Sequence, residues 1–486
     1  MKKKLLTILG CMTFGSAMAQ TDLPRVEVFE AQGAVFDSIP GSFVQGVSYN
    51  GEWAVGHGTE YTQHSFIWNR TTGEYSLITG SYMDLAYAYG VSNDGTVVGA
   101  FCKDVYAKDD SLGCMIPGIW KNGVWTELPM ENKFTPVEGL DASVNGEACF
   151  ISGDGAYITG YIKSPTFIRN FYDETGELIE TRERVPLWRP AIWTKKSDGT
   201  YKLERKLSTM PTGDELQQGI FSRYGSSQDA SVISVVADHP TGCRSPAVFV
   251  GGELIRIYGK EDIDIWSEET QYFYDGVSVT VSPNGKYVPG YFSPTGHSSS
   301  DFAFVYDTET KVVEELEGWA AATVAMNDGA LFGFDGYIGN ALYRTADKSF
   351  NGTLADYLKL YYGGYNGNLP QTIFSVSGDG KTIGGWYAVA DAIGAVSYPS
   401  IVVLNGEPNA EPDHIVEWKN DQRTVLVLDN EVVAPTAVKV ELFSAQGTLL
   451  GSAATDRIVL DGTQGVVIAK ATYEDGRVEI KKVSVK

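Results

Sequence analysis

The side chains best suited to binding lie in one stretch, residues 161–188, where aromatic rings and arginines are concentrated. Flat rings supply contact area at little cost in conformational entropy, and arginine adds charged hydrogen-bond donors. The stretch therefore predicts a ligand-binding surface made of Tyr161, Phe167, Phe171, Tyr172, Arg182, Arg184 and Trp188. The same pattern also fits a hairpin that only covers the edge of its own sheet, and this alternative stays open.

Carboxylates are the second set of side chains that could do chemistry. A glycosidase needs two of them about 5 to 10 Å apart, but among 61 Asp and Glu residues no pair stands out. Asp262 with Asp264, and Asp109 with Asp110, could contact calcium, yet neither stretch matches a known calcium loop. No serine nucleophile elbow, P-loop or dinucleotide fingerprint is present. The sequence thus predicts no catalytic residue, no metal site and no cofactor.

Residues 1–19 have the pattern of a secretory signal peptide. Three lysines precede an apolar stretch, and Ala17-Met18-Ala19 forms a cleavage site before Gln20. A lipoprotein cleavage box ending at Cys11 is the alternative, but too few apolar residues precede that cysteine. No later segment has the apolar length of a transmembrane helix. We expect a secreted or outer-membrane surface protein that passes through the periplasm.

The cysteines fit this expectation of export. Beyond the signal peptide the chain has Cys102, Cys114, Cys149 and Cys243, an even number for a chain bound for an oxidising compartment. Cys102 and Cys114 are separated by a short loop, which predicts a disulfide between them. The pairing of Cys149 and Cys243 stays open.

Composition and charge narrow the fold class and the partners. The chain has 486 residues with 12% aromatic residues and 54 glycines, and it shows no long amphipathic helical pattern. Many short strands joined by tight turns, an all-β fold, are expected. The net charge of −23 would be repelled by nucleic acid and by anionic membranes, so neither is an expected partner.

The element that must position the candidate residues is a turn that recurs along most of the chain. Its pattern is Ser-x-Asp-Gly, in which Asp or Asn can hydrogen-bond its own backbone and glycine supplies the left-handed conformation. Seven copies occur at intervals of 44 to 75 residues, which is the period of propeller blades. The copies begin at Ser48, Ser92, Ser152, Ser227, Ser282, Met326 and Ser377.

Each turn is followed by a strand with a small residue, an aliphatic residue and an aromatic residue, such as Ser65-Phe66-Ile67-Trp68. Four-stranded sheets with two apolar faces must stack on one another, so residues 25–405 predict a seven-bladed β-propeller. The seventh unit lacks a fourth strand, and residues 26–29 are expected to supply it beside 400–404. A short helix is predicted at 354–361 with Thr353 as its N-cap.

The chain after the repeats has a different pattern. Residues 406–413 read as a linker and residues 414–486 as a small β-sandwich with period-two alternation. Its predicted strands are Ile415–Trp418, Thr424–Leu428, Val438–Phe443, Arg457–Leu460, Gly465–Thr472 and Arg477–Val485.

Two resemblances follow from these motifs. The repeat Gly90–Gly99, with its Asn-Asp-Gly turn and Val-Val-Gly strand, and the later strand Ala303–Tyr306 resemble the HAF-type extracellular repeats of secreted bacterial proteins. Residues 440–447, 465–468 and 481–482 resemble the C-terminal sorting domain of the type IX secretion system of Bacteroidota. The resemblance implies the type IX machinery as a partner of this domain.

Two functions of different classes remain. The first is a secreted or surface protein whose propeller presents a ligand face for a glycan or an extracellular protein, without catalysis. The second is a propeller hydrolase or lyase with carboxylates in its central channel. Propellers host both classes, and we favour binding because no activated nucleophile or metal set is visible in the sequence.

Overall fold

The structure is a computed structural model in which two compact units are distinguished, residues 1–413 and residues 414–486. It describes residues 24–30, 42–58, 65–80, 85–103, 114–130, 146–163, 167–172, 178–185, 188–204, 225–238, 244–257, 266–267, 272–273, 275–293, 302–336, 339–390, 395–409, 426–428, 431–434, 437–444, 448–459, 465–473 and 478–485. The predicted signal peptide lies outside these ranges. No helix in the described ranges is long and apolar enough to span a bilayer.

The first unit is a succession of antiparallel sheets, each formed by strands that are neighbours in the chain. After β1 (Val26–Glu30), the first sheet contains β2 (Ser42–Val47), β3 (Trp53–Gly58), β4 (Ser65–Asn69) and β5 (Tyr75–Ile78). The second contains β6 (Ala86–Val91), β7 (Val97–Lys103), β8 (Cys114–Lys121) and β9 (Val124–Glu127). The third contains β10 (Gly146–Ile151) and β11 (Tyr157–Lys163), and after the hairpin of β12 (Phe167–Tyr172) and β13 (Leu178–Val185) it is completed by β14 (Trp188–Lys195) and β15 (Tyr201–Glu204).

The remaining sheets follow the same plan. The fourth contains β16 (Val232–Asp238), β17 (Arg244–Val250) and β18 (Glu253–Arg256), and is followed by the short pair β19 (Trp266–Ser267) and β20 (Tyr272–Phe273). The fifth contains β21 (Asp275–Ser278), β22 (Tyr287–Ser293), β23 (Phe302–Asp307) and β24 (Val312–Leu316). A single parallel pair, Arg244 of β17 with Asp275 of β21, joins the fourth and fifth into one seven-stranded sheet. The sixth contains β25 (Ala321–Ala325), β26 (Leu331–Phe334), β27 (Ala341–Arg344) and β28 (Asn351–Thr353). Helix α1 (Leu354–Tyr362) leads to the seventh, with β29 (Thr372–Val376), β30 (Thr382–Ala390) and β31 (Ala395–Leu404).

The sheets pack face to face, because their side chains are apolar on both faces. Val55 and Ile67 of the first sheet share a core with Val91 and Val97 of the second. The aromatic residues of the third strands fill such interfaces, as predicted: Trp68, Trp193 and Phe249 are almost fully buried. The all-β class and the β-propeller architecture are therefore confirmed. The described residues contain all seven copies of the turn, and the number of blades stays a prediction.

The two ends of the first unit meet in the seventh sheet. β1 pairs with β31 in an antiparallel register that places Val26 opposite Leu404 and Glu30 opposite Ser400. The Phe29 ring then lies 5.0 Å from the ring of Trp68 in the first sheet. The prediction that the N-terminal strand supplies the missing fourth strand of the seventh sheet is confirmed. This strand also brings the seventh sheet into contact with the first.

The predicted helix is also confirmed and ends one residue later than expected. Asp356 N donates to Thr353 Oγ1 at 3.0 Å, which makes Thr353 the N-cap. Gly363 closes the helix in the left-handed region with φ 79°. The buried side of α1 packs between the sixth and seventh sheets, where Leu354 and Leu358 join a core with Phe332 and Ile383.

The second unit contains two sheets around one core. The strands are β32 (Leu426–Leu428), β33 (Glu431–Val433), β34 (Ala437–Ser444), β35 (Leu449–Ala453), β36 (Arg457–Val459), β37 (Gly465–Tyr473) and β38 (Val478–Val485). One sheet has the order β32-β33-β36 and the other the order β35-β34-β37-β38. The sequence pattern missed β33 and β35, and the predicted strand Ile415–Trp418 lies outside the described residues.

Candidate functional site

The recurrent Asp or Asn of the seven turns is engaged in holding its own turn. In the second turn Ser92 Oγ donates to Asp94 Oδ1 at 2.7 Å, and Thr96 N donates to both of these oxygens at 3.2 and 3.1 Å. The third, fourth, fifth and seventh turns repeat this arrangement. Burial raises the pKa of Asp94, but hydrogen bonds from Lys121, Ser92 and Thr96 outweigh it and hold that pKa well below its usual range. These carboxylates therefore stabilise turns, and the lowered pKa keeps Asp94 ionised.

The last residue of each turn needs a left-handed backbone. Gly95 has φ 75°, and Ala230, which replaces glycine in the fourth turn, has φ 55°. The alanine is tolerated because its methyl group is buried against Ile233 and Phe249 of the fourth sheet. Burial of that group offsets the strain of an L-residue in this region.

The seven turns lie at one end of the strands, here called the turn face, and hydrogen bonds between described residues join every pair of neighbouring turns except the sixth and the seventh. Asn50 N donates to Asn93 Oδ1 at 2.9 Å, and Asn93 N donates to Gly153 O at 2.8 Å. The chain of bonds continues from Gly153 N to Gln228 Oε1, from Gln228 N to Pro283 O and from Asn284 N to Asn327 Oδ1. Gly378 N donates to Tyr49 O at 2.7 Å, so the seventh turn is tied to the first.

The central channel encloses a cavity of about 120 Å³, which is lined by residues of β2, β6, β10, β25 and β29 and by the segments 225–228 and 280–283. Its wall is made of backbone, aliphatic, aromatic and neutral polar groups, among them Gln45, Ser226, Thr280 and Ser375. Among the described residues that line it there is no carboxylate, ammonium, guanidinium or imidazole group. The described part of the channel wall therefore offers no pair of acids for hydrolysis.

One buried carboxyl lies just behind this wall. Glu147 of β10 is 7% exposed and pairs in register with Tyr161 of β11. Burial raises the pKa of Glu147 to about 6, although hydrogen bonds from Tyr161 and Tyr89 lower it. Burial, with a smaller effect of Glu147, raises the pKa of Cys149 well above its usual range. Sequence reasoning missed this cluster. Its signal was one acid in the apolar run Gly146–Ile151.

The structure separates the predicted ligand-binding stretch into Tyr161, which is buried, and six residues on other strands. Tyr161 is 8% exposed and belongs to the cluster around Glu147. The other predicted residues lie on β12, β13 and β14: Phe167, Phe171, Tyr172, Arg182, Arg184 and Trp188. β12 and β13 form the expected hairpin, with Asn170 opposite Thr181. The side chains of those six residues lie outside the described part, and their ligand contacts stay a prediction.

The predicted disulfide also stays a prediction. Cys102 is buried on β7 opposite Met115, and Cys114 is the first residue of β8, opposite Lys103. The side chain of Cys114 and all of Cys243 lie outside the described residues, as do Asp109, Asp110, Asp262 and Asp264. Within the described ranges, no group of three or more His, Cys, Asp or Glu side chains could hold a metal ion.

Comparison with known proteins gives similarity of fold alone. No protein-family model matches the chain, and no curated protein sequence matches it. Solved structures similar to it include TolB from Acinetobacter baumannii, with 12% identity over 73% of this chain and 77% of that chain and a TM-score of 0.31. They also include a chain of the mitotic checkpoint complex, with 9% identity over 82% and 98% and a TM-score of 0.34. A gluconolactonase from Xanthomonas campestris shows 9% identity over 77% and 90%, with a TM-score of 0.31.

Proposed function

We propose that this protein is an exported, non-catalytic binding protein whose propeller presents a ligand face to a glycan or an extracellular protein. The observation that carries the proposal is the chemical character of the channel, whose described wall is uncharged. The carboxylates of the turns are not available for catalysis either, because they accept hydrogen bonds from their own turns. A propeller whose described channel wall contains no paired acids is better suited to binding than to hydrolysis.

The ligand face of this proposal is the end of the strands opposite the turn face, where β11 is connected to β14. A blade needs only a short connection there, and the β12–β13 hairpin exceeds that need. Its aromatic and arginine residues are the types that binding surfaces favour. Export by the signal peptide and sorting through a type IX domain would place this face outside the cell.

The proposal is tested by a glycan array and an extracellular-protein capture screen with the chain lacking its hairpin. Residues 163–184 are replaced by a short Gly/Ser linker, and the matched control replaces residues 391–394, the corresponding connection between β30 and β31, by the same linker. We expect the hairpin variant to remain folded and to lose the ligand, while the control still binds. Unchanged binding by a folded hairpin variant would refute a ligand site there.

The buried acid Glu147 favours a second candidate, a propeller hydrolase or lyase. Its pKa of about 6 suits a general acid, and Tyr89, which donates a hydrogen bond to it, lines the channel. A polysaccharide degradation screen with the wild-type chain and Glu147→Gln separates the two functions. Degradation that disappears in the variant would favour the enzyme, whereas binding without degradation in both chains favours the proposal.

A further inference from the structure

The innermost strands of five sheets share one irregularity. In β2, β6, β10, β25 and β29, the residue three places before the first residue of the turn is an extra one, so two residues face one on the neighbouring strand. This is a β-bulge, a feature that redirects side chains and is common beside active sites. The extra residues, here called the bulge tier, are Gln45, Tyr89, Cys149, Thr323 and Phe374.

The bulge is built into the repeat by a glycine on the next strand. Gly56 of β3 and Gly99 of β7 lie opposite the residue that precedes the bulge. A Cβ on Gly56 would collide with Phe43 O, and a Cβ on Gly99 would collide with Tyr87 O. The glycine that ends the Val-Val-Gly strand is therefore needed because two backbones approach closely there. The repeat thus fixes the place of the bulge in each of these sheets.

The bulge tier differs from the rest of the repeat in its variety of side chains. The residues directly before the bulge are all aliphatic and fully buried: Val44, Ala88, Ala148, Ala322 and Ile373. The bulge tier instead contains an amide, a phenol, a thiol, a hydroxyl and a phenyl ring. Core packing therefore restricts the first set, while the second set differs from sheet to sheet. Varied side chains on a rigid scaffold are the usual construction of a recognition site.

The bulge tier borders the cavity of the central channel. Gln45, Tyr89, Cys149 and Phe374 line this cavity of about 120 Å³, which is several times the volume that one water molecule needs. The side-chain amide of Gln45 is part of the wall, and neither its donor nor its acceptor forms a hydrogen bond with a described residue. A ligand in the cavity can therefore bond to this amide without breaking any hydrogen bond between described residues.

The chemistry of the wall selects an uncharged ligand. The described wall contains no charged group, and burial raises the pKa of Tyr89 and of Cys149 well above their usual values, so both stay neutral. A charged ligand would lose its hydration there without gaining a counter-charge. Aromatic residues beside a few polar groups suit a ring with apolar faces and hydrogen-bonding edges. A sugar has this form, and the small volume limits the ligand to one sugar unit.

We propose that the bulge tier of the central channel is a binding site for one neutral sugar unit, which contacts Tyr89 and Phe374 and bonds to the amide of Gln45. This inference rests on the proposed binding function, and it selects a glycan over a protein as the ligand. The site is in the channel and not on the β12–β13 hairpin. The two can therefore fail separately, because the hairpin is tested by its own deletion and the channel by free sugars.

The test is saturation-transfer NMR with the full chain and three neutral hexoses, glucose, galactose and mannose, each compared with its uronate. The pH is about 5, because Glu147 behind the wall has a pKa of about 6 and is then mostly protonated, whereas the uronates are charged. We expect at least one hexose to bind with a Kd of about 1 mM, and its uronate to bind at least tenfold more weakly. Absence of binding by all three hexoses, or equal binding of a hexose and its uronate, would overturn the proposal.

A substitution assigns the binding to the bulge tier. Gln45→Leu removes the amide at nearly the same volume, and an apolar side chain fits there because Phe374 occupies the same place in the seventh sheet. The control is Thr126→Leu at an exposed position of β9, the outermost strand of the second sheet. We expect Gln45→Leu to weaken hexose binding about tenfold and Thr126→Leu to leave it unchanged.

Two outcomes of the substitution would overturn the channel site. The first is hexose affinity that Gln45→Leu leaves unchanged, and if this variant does not fold, Gln45→Ala tests the same amide with a smaller side chain. The second is hexose binding that persists in Gln45→Leu but is lost when residues 163–184 are replaced by the Gly/Ser linker, because the sugar would then lie on the hairpin.

Discussion

Replacement of the buried acid Glu147 by glutamine should change how stability depends on pH. Burial raises the pKa of Glu147 from 4.5 to about 6 in the folded chain. A folded-state pKa above the unfolded value means that the native state binds the proton more tightly. The contribution of Glu147 to the free energy of unfolding is fully present below pH 4.5 and is lost as the pH rises through 6. The difference of about 1.5 pKa units corresponds to roughly 2 kcal/mol.

The groups around Glu147 do not titrate in this window. Its hydrogen-bond donors are Tyr89 and Tyr161, and burial raises the pKa of both well above the usual value. Cys149 behaves in the same way, because burial raises its pKa as well. The pH dependence that disappears in Glu147→Gln can therefore be assigned to this carboxyl.

The assay is urea unfolding of the wild-type chain and the variant at pH 4.5, 6 and 8. The difference in free energy of unfolding between the variant and the wild type should shift in favour of the variant by roughly 2 kcal/mol from the lowest to the highest pH. The control is Glu253→Gln at an exposed position of β18, whose stability should follow the wild type at every pH. Parallel pH profiles for the wild type and Glu147→Gln would refute the burial of an ionisable group at this place.

Three further predictions concern the fold. A chain that begins at residue 31 lacks β1 and should have a clearly lower Tm than a chain that begins at residue 23, since the edge of β31 loses its partner; equal Tm values would contradict closure by β1. Ser92→Ala should cost about 1 kcal/mol in urea unfolding, because Thr96 N loses one of its two acceptors; a neutral effect would count against the turn network. Non-reducing peptide mapping should find Cys102 linked to Cys114, and a disulfide in a loop of this size stabilises by about 3 kcal/mol; two free thiols would disprove the pairing.

The parts of the fold that the sequence predicts are those set by local patterns. The Ser-x-Asp-Gly turn defines its own hydrogen bonds, and the missing fourth strand of the seventh unit pointed to Val26–Phe29. Helix α1 was predicted because Thr353 caps it locally. β33 and β35 were missed because they are short and their side chains show no clear alternation, so their pairing depends on distant strands.

The sites depend on contacts that no local pattern contains. The cavity of the channel combines residues from strands and turns that are far apart in the sequence. Glu147 becomes unusual only because β11 places Tyr161 beside it and the neighbouring sheet adds Tyr89. The glycine of the Val-Val-Gly strand was visible in the sequence as part of the repeat, but its place opposite the bulge needed the pairing of the two strands.

The central claim, that the propeller binds without catalysis, is tested most directly by the chemical state of a bound ligand. A glycan or protein captured by the immobilised full chain is held for a long incubation, eluted, and its mass is measured. The account predicts that the ligand is recovered with its mass unchanged. Recovery of shortened or unsaturated products that are absent when the ligand is incubated without the protein would contradict it.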